Sequence, residues 1–409
     1  ILNPTPLIRG DLWAEDGRDY FADTIRLGFG KAFYANFVST KGYPQFLKFA
    51  LSGIAIEINQ LFWGNTIVYF PHIASLISYV VYSSVFCLPI ILFSSFIIPK
   101  YRYALPIVNC FIAIGSYGNF VAFGRILNIG FLSIYLGFLL VAYRLINEEK
   151  IKLKYLFILD CIILLCVFTQ PVNFVLVLFL YFYKIYKQKS LIRFNKLLLL
   201  TIGLASYTTL MLLNNSIVKS YGESRLYDWS FISKAIFGRM IFNNFLGSLY
   251  SIIPNWLPFM LFLAFLTVIY HYRSTLHGYG LYALLSVVTI TAIWRSRLSG
   301  ILDEVSGSVY AMPSLLITMF LTFSLLSQFT QKLHSNQVSN GIFCFVIFLF
   351  IANGMNTNQP FHNNIETISL ERSLELAQPH STGENNLYKV PINPEGWFML
   401  LPKEYIKHD

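Results

Sequence analysis

The 409-residue chain is 56% hydrophobic and 17% aromatic but only 12% charged, against roughly 25% charged residues in soluble domains, so an ordinary water-soluble domain is excluded. The formal net charge of +10 comes from basic residues that flank apolar runs, a pattern of membrane topology rather than of a nucleic-acid surface. Membrane lipid is the expected surrounding, and no nucleic acid is expected as partner.

The chain begins at Ile1 without a Met, a basic n-region or a cleavage signature. No signal peptide is read from it, and one further span is expected upstream. Residues 1–66 read as a first extracytoplasmic region. It holds "LWAEDGRDYF", in which Glu15, Asp16 and Asp19 crowd together in a chain otherwise poor in charge. Then follows "YPQFLKFALSGIAIEINQLFW", whose apolar face is interrupted by Lys48, Glu57 and Asn59, as suits an amphipathic helix lying in the membrane interface.

Residues 67–355 read as the transmembrane bundle. Apolar runs at 73–98, 126–145, 196–213, 256–272, 279–294, 310–327 and 341–353 are long enough, or nearly so, for a bilayer core, which takes about 20 apolar residues per helix. Residues 153–183 read as a hairpin of two short helices, because "TQPVN" places Pro171 and Asn173 in mid-run, where they break a helix. The count is about ten spans, or eleven with the upstream one, in an all-α polytopic membrane protein. Asp160 lies inside an apolar run, where a carboxylate is costly and so a functional suspect; a bond to a neighbouring helix would account for it equally, and it is left outside the site. Within the bundle, 214–255 reads as a second extracytoplasmic loop. Its "WSFISKAIFGRMIFNNFLGSLY" mixes large apolar residues with Lys234 and Arg239 and predicts a second interfacial helix. Residues 356–409 read as a short extracytoplasmic tail, with Pro391, Pro394 and Pro402; folding back over the site, with the Trp397 ring offered to a sugar, competes with plain packing on the bundle surface.

With the acidic region outside and sides alternating, the turns assigned to the cytoplasm carry Lys100 and Arg102, then Arg144, Lys150, Lys152 and Lys154, then Lys184, Lys187, Lys189, Arg193 and Lys196, then Arg273 and Lys332. Only Glu148 and Glu149 oppose them, which is the asymmetry of the positive-inside rule. All five cysteines fall in apolar runs and read as small hydrophobes. No Gly-x-Ser-x-Gly, Walker loop, dinucleotide fingerprint or His-Glu-x-x-His occurs, which leaves carboxylate chemistry at a membrane surface as the enzyme option.

The stretch "DLWAEDGRDYFADTIRLGFGKAFYANFVSTKGYPQFLKF" resembles the first extracytoplasmic loop of GT-C fold glycosyltransferases, above all bacterial O-antigen-modifying glucosyltransferases. The resemblance implies a GT-C-like bundle that transfers a sugar, glucose among the candidates, from a polyprenyl-phosphate donor to a surface glycan or lipid-linked oligosaccharide. It places the enzyme in the bacterial inner membrane with its active site facing the periplasm. Asp16 takes the place of the family's catalytic carboxylate, with Glu15 beside it as partner or metal ligand and Tyr20 four residues on. Asp19 and, in "GY", Tyr43 complete the loop. "GRILNIGFLSIYLGFLL" sets Asn128 at the start of a span as in relatives, and "VYAMPSLLITMF" sets Tyr310 at a span entry where relatives read Arg-Tyr; here Val309 replaces the Arg.

Transfer from a phosphate leaving group needs a base for the acceptor hydroxyl and cations for the departing phosphate. Arg18, Arg125, Arg295 and Arg297 are the candidates, since guanidinium binds phosphate oxygens in pairs. The plainer reading of Arg295 and Arg297 is pairing with Asp303 and Glu304. No resident cofactor is expected, and a divalent metal is left open. Two other classes compete. An O-antigen polymerase or ligase would concentrate Arg and His in large late loops, and a flippase would carry ionisable groups along its spans.

Overall fold

The computed structural model describes residues 4–41, 43–188, 194–213, 229–272, 276, 279–293, 308–333, 335–358, 367–380 and 386–406. Its main helices are α1 (Phe46–Trp63), α2 (Phe70–Leu92), α3 (Pro99–Asn109), α4 (Ile129–Asn147), α5 (Leu153–Val167), α6 (Val172–Gln188), α7 (Leu198–Leu213), α8 (Leu257–His271), α9 (Tyr279–Ile293), α10 (Met312–Gln331) and α11 (Asn336–Thr357). Among the described residues, α2, α4, α10 with the short turn before it, and α11 are long and apolar enough to cross a membrane. Shorter apolar helices occupy Val172–Tyr183, Leu198–Leu213 and Leu257–His271. The chain is a helical membrane protein, and the predicted runs recur as helices.

The hairpin at "TQPVN" forms as expected. α5 ends at Val167 and α6 begins at Val172; Asn173 Nδ2 donates to Cys166 O at 2.9 Å and to Ser133 Oγ of α4 at 3.3 Å. The turn is tied to α1, whose Phe46 N–H donates to Phe168 O at 3.1 Å. α2 and α4 both start at the acidic loop and end at basic turns. Beyond α2, Arg102 Nη1 donates to Ser94 O at 2.8 Å and Lys100 Nζ to Ser339 Oγ at 2.6 Å. Beyond α4 come Lys150, Lys152 and Lys154. Asp160 does bond a neighbouring helix: it pairs with Arg144 of α4, and both side chains are buried.

Three features differ from the sequence expectation. First, α1 does not keep its polar residues on one outward face. Lys48, Ser52 and Asn59 are buried while Ile54, Leu61, Phe62 and Trp63 are exposed together with Glu57 and Gln60, so the polar side chains are shared between the two faces. Second, the element at Ser233–Ile241 does not lie on the surface. Ser233, Ala235, Gly238, Arg239, Met240 and Ile241 are buried, because Arg239 finds Ile114 O at 3.3 Å and the Tyr250 ring at 5.4 Å inside the bundle. Residues 214–228 of that predicted loop lie outside the described residues.

Third, the tail is not simply polar coil but a small antiparallel sheet, which adds strands to an otherwise helical protein. β1 (Gln378–Pro379), β2 (Leu387–Ile392) and β3 (Trp397–Pro402) pair in that order, with Leu387 opposite Pro402 and Ile392 opposite Trp397. Val390 and Ile392 are buried on one face of β2, in the period of a half-buried strand, and Leu387 is buried at the start of the strand.

Helix α3 stops early, and residues 110–115 run without regular structure before a short helix at Ser116–Ala122. Irregular backbone at membrane depth must be satisfied by protein. Asn244 Oδ1 accepts from Ala113 N–H at 2.9 Å, Asn243 donates to Ala113 O, and Asn358 both accepts from Gly115 N–H at 3.0 Å and donates to Ile112 O at 2.7 Å. α11 reaches this segment through Gly354, where any Cβ would collide with Phe111 O.

Breaking the buried Arg144–Asp160 pair strands one charge, which costs roughly 3–5 kcal/mol. Asp160→Asn is expected to lower the melting temperature in detergent markedly, and the double variant Arg144→Met/Asp160→Leu to recover most of the loss. Equal melting of the single variant and the parent protein would remove the pair from the stability of the bundle.

Candidate functional site

The acidic loop is built from short pieces. A turn of helix at Thr5–Arg9 ends at Gly10, and Asp16–Ala22 forms a π-helical turn, a widened geometry that recurs at functional sites. Between them Ala14 has φ 42°, a left-handed conformation that costs a non-glycine residue about 1–2 kcal/mol. Trp13 is wedged edge-on against Phe120 at 5.3 Å and Tyr117 at 6.5 Å.

Asp16 is 9% exposed and its Oδ1 accepts the Leu127 N–H at 2.6 Å. Burial pushes its carboxyl from the ordinary 3.8 up to about 7; Arg125, the Leu127 hydrogen bond and Lys48 act in the opposite direction, and the neighbouring Glu15 adds to the rise. A crevice beside it is lined by Asp11, Asp16, Ser52, Ser75, Gly124 and Arg125, together with Phe70 and Pro71 at the start of α2. Gly124 has φ 77°, and a Cβ there would lie 2.6 Å from the Tyr79 hydroxyl, so only glycine keeps this wall in place.

Arg125 is buried and pairs with Asp11, Nη2 to Oδ2 at 3.2 Å. Its guanidinium stands 4.9 Å from the Trp13 ring and 5.2 Å from that of Phe120. Lys48 is buried as well, donating to Gln45 Oε1 at 3.0 Å and to the Tyr20 hydroxyl at 3.4 Å. Two cations thus stand close enough to Asp16 to act on its ionisation.

The other predicted residues divide. Arg18 and Asp19 pair at 2.6 Å, and the Arg18 guanidinium lies 4.5 Å from the Trp397 ring, so the tail does fold back onto the acidic loop. Trp397 is half-buried there, and Arg18 already covers the ring that was expected to offer a face to sugar. Tyr20 is turned inward rather than toward a substrate: it is fully buried, and its hydroxyl donates to Gln45. Its phenol is held well above the ordinary range, by burial first and then by Tyr43 and the acidic residues near it; Tyr43 is therefore part of the same neighbourhood. Asn128 is also spent inside the fold, its Nδ2 donating to Val121 O at 2.5 Å. Tyr310 stacks edge-on against Phe131 at 5.1 Å, at the start of α4. Arg295 and Arg297, with Asp303 and Glu304, lie outside the described residues.

Sequence reasoning missed Asp11 as a site residue, although it opens the same "DLWAED" stretch, and missed Gln45 and Ser52. Lys48 carried a signal, a cation interrupting an apolar helix face, but was read only as a mark of an interfacial helix. Among the described residues, no three His, Cys, Asp or Glu side chains gather where they could hold a metal ion. No family model, curated protein or solved structure matches the chain.

Because the folded value of Asp16 lies above its ordinary one, the folded state holds this proton more tightly than the unfolded chain does. Asp16 therefore contributes stability that is complete below about pH 4 and is lost as pH rises through about 7. Asp16→Asn, which cannot ionise, is expected to flatten the fall in melting temperature across that window. Identical pH dependence in the two proteins would show that Asp16 does not titrate there.

Proposed function

We propose that the chain is a GT-C-type glycosyltransferase, multi-pass in a bacterial inner membrane, with about ten spans and with the Asp16 crevice facing the periplasm. The donor is a polyprenyl-phosphate sugar, glucose being the sugar to test first, and the acceptor is a surface glycan such as O-antigen or its lipid-linked precursor. The observation that carries this reading is a buried carboxyl group whose proton affinity lies near neutrality, in a crevice it shares with a guanidinium and close to a buried ammonium. A general base works best with its pKa near the working pH.

In the proposed step the acceptor hydroxyl oxygen forms a bond to the anomeric carbon, and the bond from that carbon to the phosphate oxygen breaks. The electron pair leaves with the polyprenyl phosphate, and the hydroxyl proton passes to Asp16. Lys48 and Arg125 favour the ionised form of Asp16, and with Arg18 of the same loop they supply positive charge for the departing phosphate. Inversion at the anomeric carbon is the outcome of one such displacement and is what the family resemblance implies.

The orientation is supported by the position of the basic turns. α2 and α4 start beside Asp16 and run to Lys100, Arg102, Lys150, Lys152 and Lys154 at their far ends, and clustered Lys and Arg mark the cytoplasmic side.

Asp16→Asn, folded and inserted normally, is expected to reduce sugar transfer by about 10²- to 10⁴-fold, read as loss of a single added hexose in the mass of the surface glycan. In the parent protein the transfer rate should rise with pH to a plateau, with an apparent pKa of about 7. Undiminished transfer by both Asp16→Asn and Asp16→Ala would sink the assignment of the base. Translocation of lipid carrier in proteoliposomes without any glycan product would favour a flippase instead.

A further inference from the structure

Beside the contact of Trp397 with Arg18, the C-terminal sheet meets the acidic loop at Asn393. Asn393 follows β2, and its main chain brackets the loop: its N–H donates to Leu12 O at 3.1 Å, and its carbonyl accepts the Ala14 N–H at 2.5 Å. The Asn393 side chain fixes that main chain in place. Nδ2 donates to Ile368 O at 2.8 Å and to Leu12 O at 3.2 Å, and Oδ1 accepts the Ile368 N–H at 2.9 Å. Asn393 is 3% exposed, so these bonds are made out of water, where they are strongest.

The residue so held is the strained one. Ala14, at φ 42°, sits between two pinned neighbours: Trp13, locked under Arg125 and against Phe120, and Asp16, whose N–H donates to Trp13 O at 2.8 Å. Relaxing Ala14 to an ordinary φ would rotate Glu15 and Asp16 away from Leu127. A strained backbone persists only where its surroundings over-determine it, and at Ala14 the over-determining group is Asn393. The tail adds a further contact, since Ile392 packs where a Cβ on Gly17 would stand.

We infer that Asn393 is a positioning residue of the Asp16 site: through its bond to Ala14 it holds the acidic loop in the conformation that aims Asp16 at the Leu127 N–H and the crevice. The C-terminal sheet is therefore a working part of the site. This rests on the proposed reading of Asp16 as the base, yet its test does not need catalysis.

The test is the pH titration of the protonated-carboxyl infrared band of Asp16 in the purified full chain, the band being identified by its loss in Asp16→Asn. Asn393→Ala is expected to lower the midpoint by about one pH unit or more, as the carboxyl gains water. Ala14→Gly alone should titrate like the parent protein. In the double variant Ala14→Gly/Asn393→Ala, glycine takes up φ > 0 without strain, and at least half of the displacement should be reversed. Where Asn393→Ala does not accumulate, Asn393→Ser, which keeps one donor, takes its place. A midpoint within about 0.3 unit of the parent in the folded Asn393 variant, or a displacement that Ala14→Gly leaves untouched, overturns the inference. Sugar transfer measured on the same proteins separates the two readings. A displaced titration in a protein with no transferase activity sinks only the proposed function. An active parent whose titration and turnover ignore the Asn393 substitution sinks only the positioning role.

Discussion

A guanidinium and a carboxylate withdrawn from water together, Arg125 and Asp11, hold the first loop onto the bundle. Either alone at that depth would carry a desolvation cost of several kcal/mol, so the loop cannot leave without exposing the partner it abandons. The pair also fixes what surrounds it. The Arg125 guanidinium lies over the rings of both Trp13 and Phe120, and this cluster anchors the turn that leads to Asp16. Two residues beyond Arg125, Leu127 donates its N–H to the Asp16 carboxylate. One short segment ahead of α4 thus neutralises one acid of the loop and orients another.

The same economy governs the interior. The chain interrupts α3 at residues 110–115 and satisfies the opened backbone with amide side chains, Asn243, Asn244 and Asn358, together with Arg239. Amides suit this task because each carries both donors and an acceptor. They replace water where water is scarce, and they do so without net charge. Arg239 is the exception, and its burial beneath Tyr250 shows how far this element departs from a helix resting on a surface.

Much of the helical frame was legible in the sequence, because an apolar run of membrane length has few other uses. Pro171 and Asn173 disclosed the hairpin, and the cost of a lone carboxylate disclosed that Asp160 needed a partner. The acidic loop was legible too, as charge in a chain that avoids it. What stayed hidden depends on distance in sequence. Lys48 on an apolar helix looks alike whether its face meets water or a buried tyrosine; only the position of Tyr20, 28 residues earlier, decides. Asp11 looks like one more acid until Arg125 is brought to it across 114 residues. The strands of the tail were masked by prolines at Pro391 and Pro402; Pro391 is tolerated because β1 pairs only with Tyr388 and Lys389, and Pro402 because it ends the edge strand β3.

The contact between Asn393 and Leu12 joins residues 381 positions apart. During synthesis the acidic loop emerges long before its clamp. A nascent chain that already holds every helix of the bundle still lacks the residue that fixes Ala14. The site is therefore finished only when the C-terminal segment has reached the same side of the membrane as the N-terminal one. A chain cut short of residue 393 keeps Arg125 and Leu127 against its acids and loses the hydrogen bond that holds Ala14.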